Sequence, residues 1–504
     1  MSRLRAEPSF PVIVCTILER DLASARLRLE RAHPGAGIIE IRADHLTAPE
    51  VAVLLEMDPR PAIVTVRRQA DGGGFEGTEG ERRTILQAAL AAGAHFIDVE
   101  WEGSLMDLVS GEEASRVILS HHGGPCTFPE LRERAERMAA FPAALLKIVP
   151  LAERPGEVLA VRRLLAGAWD GRLTCFPAGR AGAVARLLAP SWGGWGSYGA
   201  PPGRPAAAGQ FAVDDMAEVY RVDRIGSGTR RFAIVGRDVF ASPSPAMHAA
   251  AYRSAGIDAC YLPIEVDRFD EFRELADGLG IEAFAVTIPF KEEAAQAAQP
   301  ADEVARNAGA VNTVLAHDGS EWRGYNTDGS AALRLVSEAI PPGGARVEIR
   351  GAGGTARALA VALRDARARV TLFNRTAARC EQVAGELGVN WKPLEEWGRG
   401  PWDVLINATP LTDSLTDSLK QAVDWKRAGR VVLDAVYSAR PTPLVTQARA
   451  AGARAIDGFE LLVQQGALQF EHMTGVVADR ERMTRAGAEW LLSRGNLDAT
   501  RTKR

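Results

Sequence analysis

From residue 11 onward, short apolar runs rich in β-branched residues alternate with longer stretches whose apolar positions recur at helical spacing. The runs are PVIVCTI (11–17), GIIEIRA (37–43), AIVTVRR (62–68), HFIDVEW (95–101), RVILSHH (116–122), ALLKIVP (144–150), RLTCFPA (172–178) and the weaker WGSYG (195–199). Between them lie segments such as ERRTILQAALAAG and PELRERAERMAAF, apolar at every third or fourth position. Strands alternating with helices predict right-handed βαβ units and a parallel sheet. Eight such units in about 220 residues match the count and size of a (β/α)8 TIM barrel.

A short polar stretch, VDRIGSGTR, follows and reads as a linker over 222–230. The strand RFAIVG then opens a second α/β series, and ARVEIRGAGG opens a third with its own strand–glycine–helix start. The expected organisation is therefore a barrel over 1–221, the linker, and two further α/β domains over 231–330 and 331–475. A C-terminal helix and tail fill 476–504.

Composition narrows the function. The 504-residue chain is 46% hydrophobic and 25% charged with a net charge of −4, which suggests neither a nucleic-acid surface nor a disordered tail. No stretch of 18 apolar residues exists, so no membrane span is expected, and the apolar run behind the two N-terminal arginines is too short for a signal peptide. The five cysteines (Cys15, Cys126, Cys175, Cys260, Cys380) form no CxxC pair, which fits reduced thiols in a cytoplasm. The doublet His121–His122 has no carboxylate or cysteine spacing to complete a metal site, and no metal is expected.

The candidate chemistry of the first half starts from one residue. Lys147 interrupts the apolar run AALLKIVP, and a buried ammonium either snorkels to water, finds a partner or gives up its proton. Barrel chemistry sits at the C-terminal strand ends. Lys147 is expected toward that end of the sixth strand, with His122 ending the fifth; neighbouring strands are about 5 Å apart, so the two side chains can face one reacting atom. Glu40 and Arg42, two apart on the second strand, share a face, and Arg67 and Asp71 follow the third. A neutral lysine adding to a ketone gives a protonated imine that acidifies the next carbon, and a histidine moves the protons. Arginines would hold a carboxylate substrate.

In the last third, GAGGTARALA (351–360) follows a strand and opens an Ala-rich helix: G-x-G-x-x-A in the setting a dinucleotide site needs. It makes Gly351, Gly353, Gly354, Thr355 and Ala356 cofactor candidates. The next strand, RVTLFNRT, ends in Asn374, Arg375 and Thr376, with Arg379 one turn on. Two guanidiniums and no acid favour the 2′-phosphate of NADP over the ribose hydroxyl of NAD. Upstream, Ser242 and Ser244 are placed to hydrogen-bond a carboxylate, and Thr287, Lys291, Asn312 and Asp328 fall at strand and turn ends. A lysine with an aspartate makes an acid–base pair for hydride transfer to a ring ketone.

These segments resemble known families. EIRADHL, TVRRQADGGG, ILSHHG, LLKIV, GAVAR and AAAGQ resemble, in order, the motifs of type I 3-dehydroquinate dehydratase. The resemblance implies that Lys147 forms a Schiff base, that His122 shuttles protons, and that Glu40, Arg42, Arg67, Arg186 and Gln210 contact substrate. Gly123, Ala178 and Ala206 depart from that pattern. The segments around Ser242, Thr287, Asn312, Asp328 and the GAGG turn, with VLINATP, AVYSARPTPL and GFELLVQQGA, look like shikimate dehydrogenase. That resemblance implies Lys291 and Asp328 as the catalytic pair. It makes Ser242, Ser244, Thr287, Asn312, Tyr437 and Gln465 substrate contacts, and Gly458 a nicotinamide-side contact. Together the resemblances imply a bifunctional enzyme that dehydrates 3-dehydroquinate and reduces the product with NADPH, with small-molecule substrates, no nucleic-acid or membrane partner, and an oligomeric state the sequence does not set. The alternatives are a quinate/shikimate dehydrogenase with a weak or inactive barrel and, from another class, a metabolite-sensing regulator.

Overall fold

The computed structural model describes residues 11–203, 205–316, 321–409, 423–425 and 430–501. The chain divides into two compact units, residues 1–229 with 264–279, and residues 230–263 with 280–504.

The first unit contains eight parallel strands: β1 (Val12–Leu18), β2 (Ile38–Arg42), β3 (Ala62–Thr65), β4 (Phe96–Glu100), β5 (Val117–Pro125), β6 (Leu145–Leu151), β7 (Leu173–Cys175) and β8 (Gly196–Gly199). Each falls within or overlaps one of the eight apolar runs. They pair in the order β7-β6-β5-β4-β3-β2-β1-β8, so the ladder runs around a barrel. At the β7–β8 seam Trp195 N donates to Leu173 O at 3.2 Å and Thr174 Oγ1 donates to Gly196 O at 2.6 Å. The poor eighth strand is short because β7 and β8 each offer only a few residues to the seam.

Two details differ from the sequence expectation. Lys147 is the third of seven residues in β6, below the strand's end, because the strand continues to Leu151. His122 does not end β5, which runs on through a register shift between His122 and Pro125. The local periodicity marks the apolar segment, whereas the strand's extent is set by the neighbour it pairs with.

The second unit carries two sheets. The first comprises β9 (Arg230–Gly236), β10 (Ala259–Glu265), β11 (Ile281–Val286), β12 (Gln299–Pro300), β13 (Thr313–Leu315) and β14 (Arg323–Tyr325), in the order β10-β9-β11-β13-β14-β12. The second comprises β15 (Arg346–Arg350), β16 (Arg369–Asn374), β17 (Asn390–Pro393), β18 (Val404–Asn407), β19 (Val431–Asp434) and β20 (Arg454–Ile456). All its pairs are parallel and its order is β17-β16-β15-β18-β19-β20, the doubly wound arrangement whose ligand crevice opens where the order reverses, beside β15. The helix Gly458–Thr474 serves both sheets. Val463, Ala467, Phe470 and Met473 join the core against Phe232 and Met247, while Leu461 joins the core over β15. Among the described residues no helix is long and apolar enough to cross a membrane.

Candidate functional sites

A cavity of about 150 Å³ opens inside the first unit. It gathers every barrel residue singled out from the sequence: Glu40, Arg42, Arg67, Asp71, His122, Lys147, Arg186 and Gln210. Period-two alternation explains the convergence, because Ser120, Lys147 and Thr174 are register partners on adjacent strands and all three are buried. The histidine doublet divides across the strand. His122 lines the cavity, while His121 meets the edge of Trp101 with ring centroids 5.7 Å apart.

Of the three fates open to a buried lysine, Lys147 takes the second. Its Nζ donates to Asp98 Oδ2 at 2.5 Å, stands 3.8 Å from Glu40 and lies 4.7 Å from the centre of the Tyr198 ring. Asp98 also accepts from Arg67 at 2.8 Å and from Ser120 at 2.7 Å. Burial alone pushes the Asp98 carboxyl up, but Lys147, Arg67 and His122 together outweigh it and hold Asp98 well below the usual carboxylate range. The chain of alternating charge continues from Arg67 to Glu100 at 3.4 Å and from Glu100 to the fully buried Arg82.

Two groups stand apart from that network. His122 is pushed well below its ordinary pKa, first by burial and then by the cations Arg67 and Lys147, and its Nε2 is buried without a hydrogen-bond partner. The ring is therefore neutral near pH 7 and free to take a proton. Arg186, from the helix Ala183–Leu188, is 3% exposed, lies over the Phe176 ring at 4.6 Å, and has no hydrogen bond or ion pair among the described residues. Burial pushes it down to about 10. An unpaired buried guanidinium on a cavity wall suits a carboxylate.

The segment AAAGQ closes over this cavity. Gly209 holds a left-handed φ of 74°, and a Cβ there would stand 2.2 Å from the Gly179 carbonyl oxygen, so only glycine lets the loop come down. Gln210 Oε1 accepts from the Ala206 amide at 2.8 Å, which turns the glutamine back along its own loop. Asp71 bonds Arg68 at 2.6 Å while still lining the cavity. Arg42 is held by Asp44 through two hydrogen bonds.

In the second unit a cavity of about 270 Å³ is lined by Ser242, Ser244, Thr287, Lys291, Asn312, Asp328, Thr355, Tyr437, Gly458 and Gln465, among others. Lys291 begins the helix Lys291–Ala297 just after β11, and Asp328 lies in the first turn of the helix Thr327–Ala339, which Asn326 caps. Lys291 Nζ donates to Asp328 Oδ2 at 2.5 Å and to Thr355 Oγ1 at 2.9 Å. Asn312 Nδ2 donates to the other Asp328 oxygen at 2.9 Å, and its Oδ1 accepts from the Thr327 amide at 2.9 Å. The amine is thus held by a carboxylate that is itself held from behind, an arrangement able to direct a proton to one point.

The nucleotide turn lies beside it. Gly351 follows β15 with φ 128°, and a Cβ there would stand 3.0 Å from Ala408 O. Gly353 faces open space at the start of the helix Gly354–Asp365, so backbone amides are accessible to a pyrophosphate. Ala356 is fully buried and packs in the core behind the turn. At the end of β16, Arg375 is exposed and Asn374 bonds Thr376 O at 3.3 Å. Arg379 differs from expectation: it is paired with Glu292 at 2.8 Å, so a 2′-phosphate there competes with a carboxylate. A Cβ on Gly458 would stand 2.3 Å from the Val436 carbonyl, which is why that position stays bare.

Among the described residues no group of three or more His, Cys, Asp or Glu is placed to hold a metal ion. Three family models match the chain: type I 3-dehydroquinase over residues 13–227, the shikimate dehydrogenase substrate binding domain over 234–314, and the shikimate 5′-dehydrogenase C-terminal domain over 458–486. A shikimate dehydrogenase (NADP(+)) of Shouchella clausii is 36% identical over 273 residues, which is 51% of this chain and 97% of that protein. The chain joins a type I 3-dehydroquinase to a member of the shikimate dehydrogenase family. A bifunctional 3-dehydroquinate dehydratase/shikimate dehydrogenase of Arabidopsis thaliana, described as chloroplastic, is 28% identical across 94% of this chain and 83% of its own length. A Thermus thermophilus shikimate dehydrogenase solved with NADP(H) and shikimate shares 32% identity over 52% of this chain and all of its own, at a TM-score of 0.46.

In the dehydroquinase half, sequence reasoning missed Asp98 and Tyr198. Asp98 carried a usable signal, since HFIDVEW sets two carboxylates two residues apart in an apolar run, as Glu40 and Arg42 are set in theirs. Tyr198 carried none, because an aromatic residue on a barrel strand reads as core. The shikimate dehydrogenase motif NATPLTD lies outside the described residues from position 410 onward.

Proposed function

We propose that the dehydroquinase barrel dehydrates 3-dehydroquinate and that the shikimate dehydrogenase half reduces the resulting 3-dehydroshikimate to shikimate with NADPH. In the barrel the Lys147 nitrogen adds to the C3 ketone, and the ketone oxygen leaves as water with two of the ammonium protons, giving a protonated imine. His122, neutral at rest, takes a proton from C2; the electron pair expels the C1 hydroxyl, and the histidine returns its proton to that hydroxyl as it leaves as water. Water then hydrolyses the imine and frees Lys147. Arg186 holds the substrate carboxylate, and Glu40, Arg42, Arg67 and Gln210 hold its remaining oxygens.

In the second site NADPH supplies a hydride when bound. Gly351, Gly353 and Gly354 give the pyrophosphate its turn, Asn374, Arg375, Thr376 and Arg379 surround the 2′-phosphate, and Gly458 keeps space on the nicotinamide side. Ser242 and Ser244 bind the substrate carboxylate. Thr287, Asn312, Tyr437 and Gln465 bind the ring oxygens, Lys291 protonates the oxygen of the ketone being reduced, and Asp328 holds Lys291 in place. The five buried, unpaired thiols support a reducing, cytoplasmic setting.

The observation that carries this reading is the gathering of each set of distant residues around one cavity. NADPH oxidation started with 3-dehydroquinate alone tests it, because signal requires both halves. Borohydride added with 3-dehydroquinate should leave a stable adduct on Lys147. A chain that oxidises NADPH with 3-dehydroshikimate but gives neither signal nor adduct with 3-dehydroquinate has an inactive barrel. The small side chains of Ala178 and Ala206 on the cavity wall favour that second reading. Comparing kcat/KM on shikimate and quinate then measures how much the reductase site tolerates the extra hydroxyl.

A further inference from the structure

The GAGG turn is expected to serve the cofactor, yet its last glycine and the threonine that follows it touch Lys291. Thr355 Oγ1 accepts a hydrogen bond from Lys291 Nζ at 2.9 Å. A Cβ on Gly354 would stand 2.8 Å from Lys291 Cβ and 3.3 Å from its Cδ, so the aliphatic stem of the lysine lies directly against the bare glycine. The lysine is thereby fixed at both ends: its stem by Gly354 and its head by Asp328 and Thr355.

We infer that Thr355 is a positioning residue for Lys291, orienting its ammonium for proton delivery, and not chiefly a cofactor contact. An ammonium carries three N–H donors on a freely rotating head. Asp328 takes one and Thr355 a second, so rotation about the Cε–Nζ bond is opposed by two acceptors instead of one, which leaves the third N–H for the cavity that Ser242, Asn312 and Gln465 line. Lys291 follows β11 and Thr355 follows β15, so the contact ties the proton donor of the first sheet to the nucleotide turn of the second.

This inference rests on Lys291 being the proton donor, and the test separates the two. Thr355→Val keeps the shape and removes the acceptor, Thr355→Ser keeps the acceptor, and Lys291→Met removes the donor. Thr355→Val is expected to lower kcat for 3-dehydroshikimate reduction about tenfold while KM for 3-dehydroshikimate stays within about twofold. NADPH affinity, read by fluorescence titration without substrate, should also stay within about twofold, and Thr355→Ser should restore kcat to a similar margin. Thr355→Ala repeats the measurement should valine disturb folding by circular dichroism. A wild-type kcat in Thr355→Val and Thr355→Ala, or a loss of NADPH affinity that tracks the loss of kcat, overturns the inference. Wild-type kcat in Lys291→Met overturns the reading beneath it.

Discussion

Arg186 allows a prediction in which stability and affinity move in opposite directions. Its guanidinium is buried, lies over the Phe176 ring with no hydrogen bond or ion pair among the described residues, and is pushed down to about 10 by burial. That fall corresponds to about 3 kcal/mol against the charged form. The sign follows from a cation whose folded pKa is depressed: the penalty is fully present below about 10 and fades only as pH rises above it. At pH 7 the barrel therefore folds around an uncompensated charge. Arg186→Met removes the charge at similar volume and forfeits a ring contact of about 1 kcal/mol, for a net gain of about 1–2 kcal/mol. For a domain of this size the gain corresponds to a Tm rise of about 2–8 °C. The same change removes the group proposed to hold the substrate carboxylate and should raise KM for 3-dehydroquinate about 100-fold. Scanning calorimetry of the full chain provides the first readout, the barrel transition being the one that 3-dehydroquinate shifts upward in the unmutated protein. Appearance of the conjugated enone product, followed by ultraviolet absorbance, provides the second. A lower barrel Tm together with an unchanged KM would refute the argument, since Arg186 would then be a structural residue with a partner.

Other consequences follow from the same geometry. Because burial and then Arg67 and Lys147 hold His122 well below 6.5, the acidic limb of the dehydratase kcat/KM should lie below that value; a limb at or above 6.5 would mean that the histidine titrates freely. The same depression makes the unfolded chain take the proton first, so barrel stability should decline as pH drops below about 6.5, and the decline should shrink in His122→Ala. Asp98→Ala strands Lys147 and Arg67 inside the barrel and should cost about 3–5 kcal/mol by calorimetry or denaturant titration, a loss too large for a surface ion pair. Glu292→Gln frees Arg379 and should lower KM for NADPH by about twofold to fivefold, leaving activity with NADH unchanged; an equal effect on both cofactors would detach Arg379 from the 2′-phosphate.

Much of this molecule was written locally. Alternating apolar runs marked all eight barrel strands, period-two spacing put Glu40 and Arg42 on one face, and the C-terminal strand ends pointed to His122 and Lys147. The strand–glycine–helix start at 346–360 located the doubly wound sheet and its turn. These features follow from φ/ψ sterics and side-chain periodicity, which act over a few residues and leave their trace in any short window of sequence. Who meets whom was decided elsewhere. Asp98 reaches Lys147 across 49 positions, Glu292 reaches Arg379 across 87, and Thr355 reaches Lys291 across 64. Each contact depends on how a sheet closes or how two sheets come together around a cleft, and burial then sets the charge state. A lone lysine in an apolar strand poses the question of its proton; only the packed barrel, by placing a carboxylate 2.5 Å away, answers it.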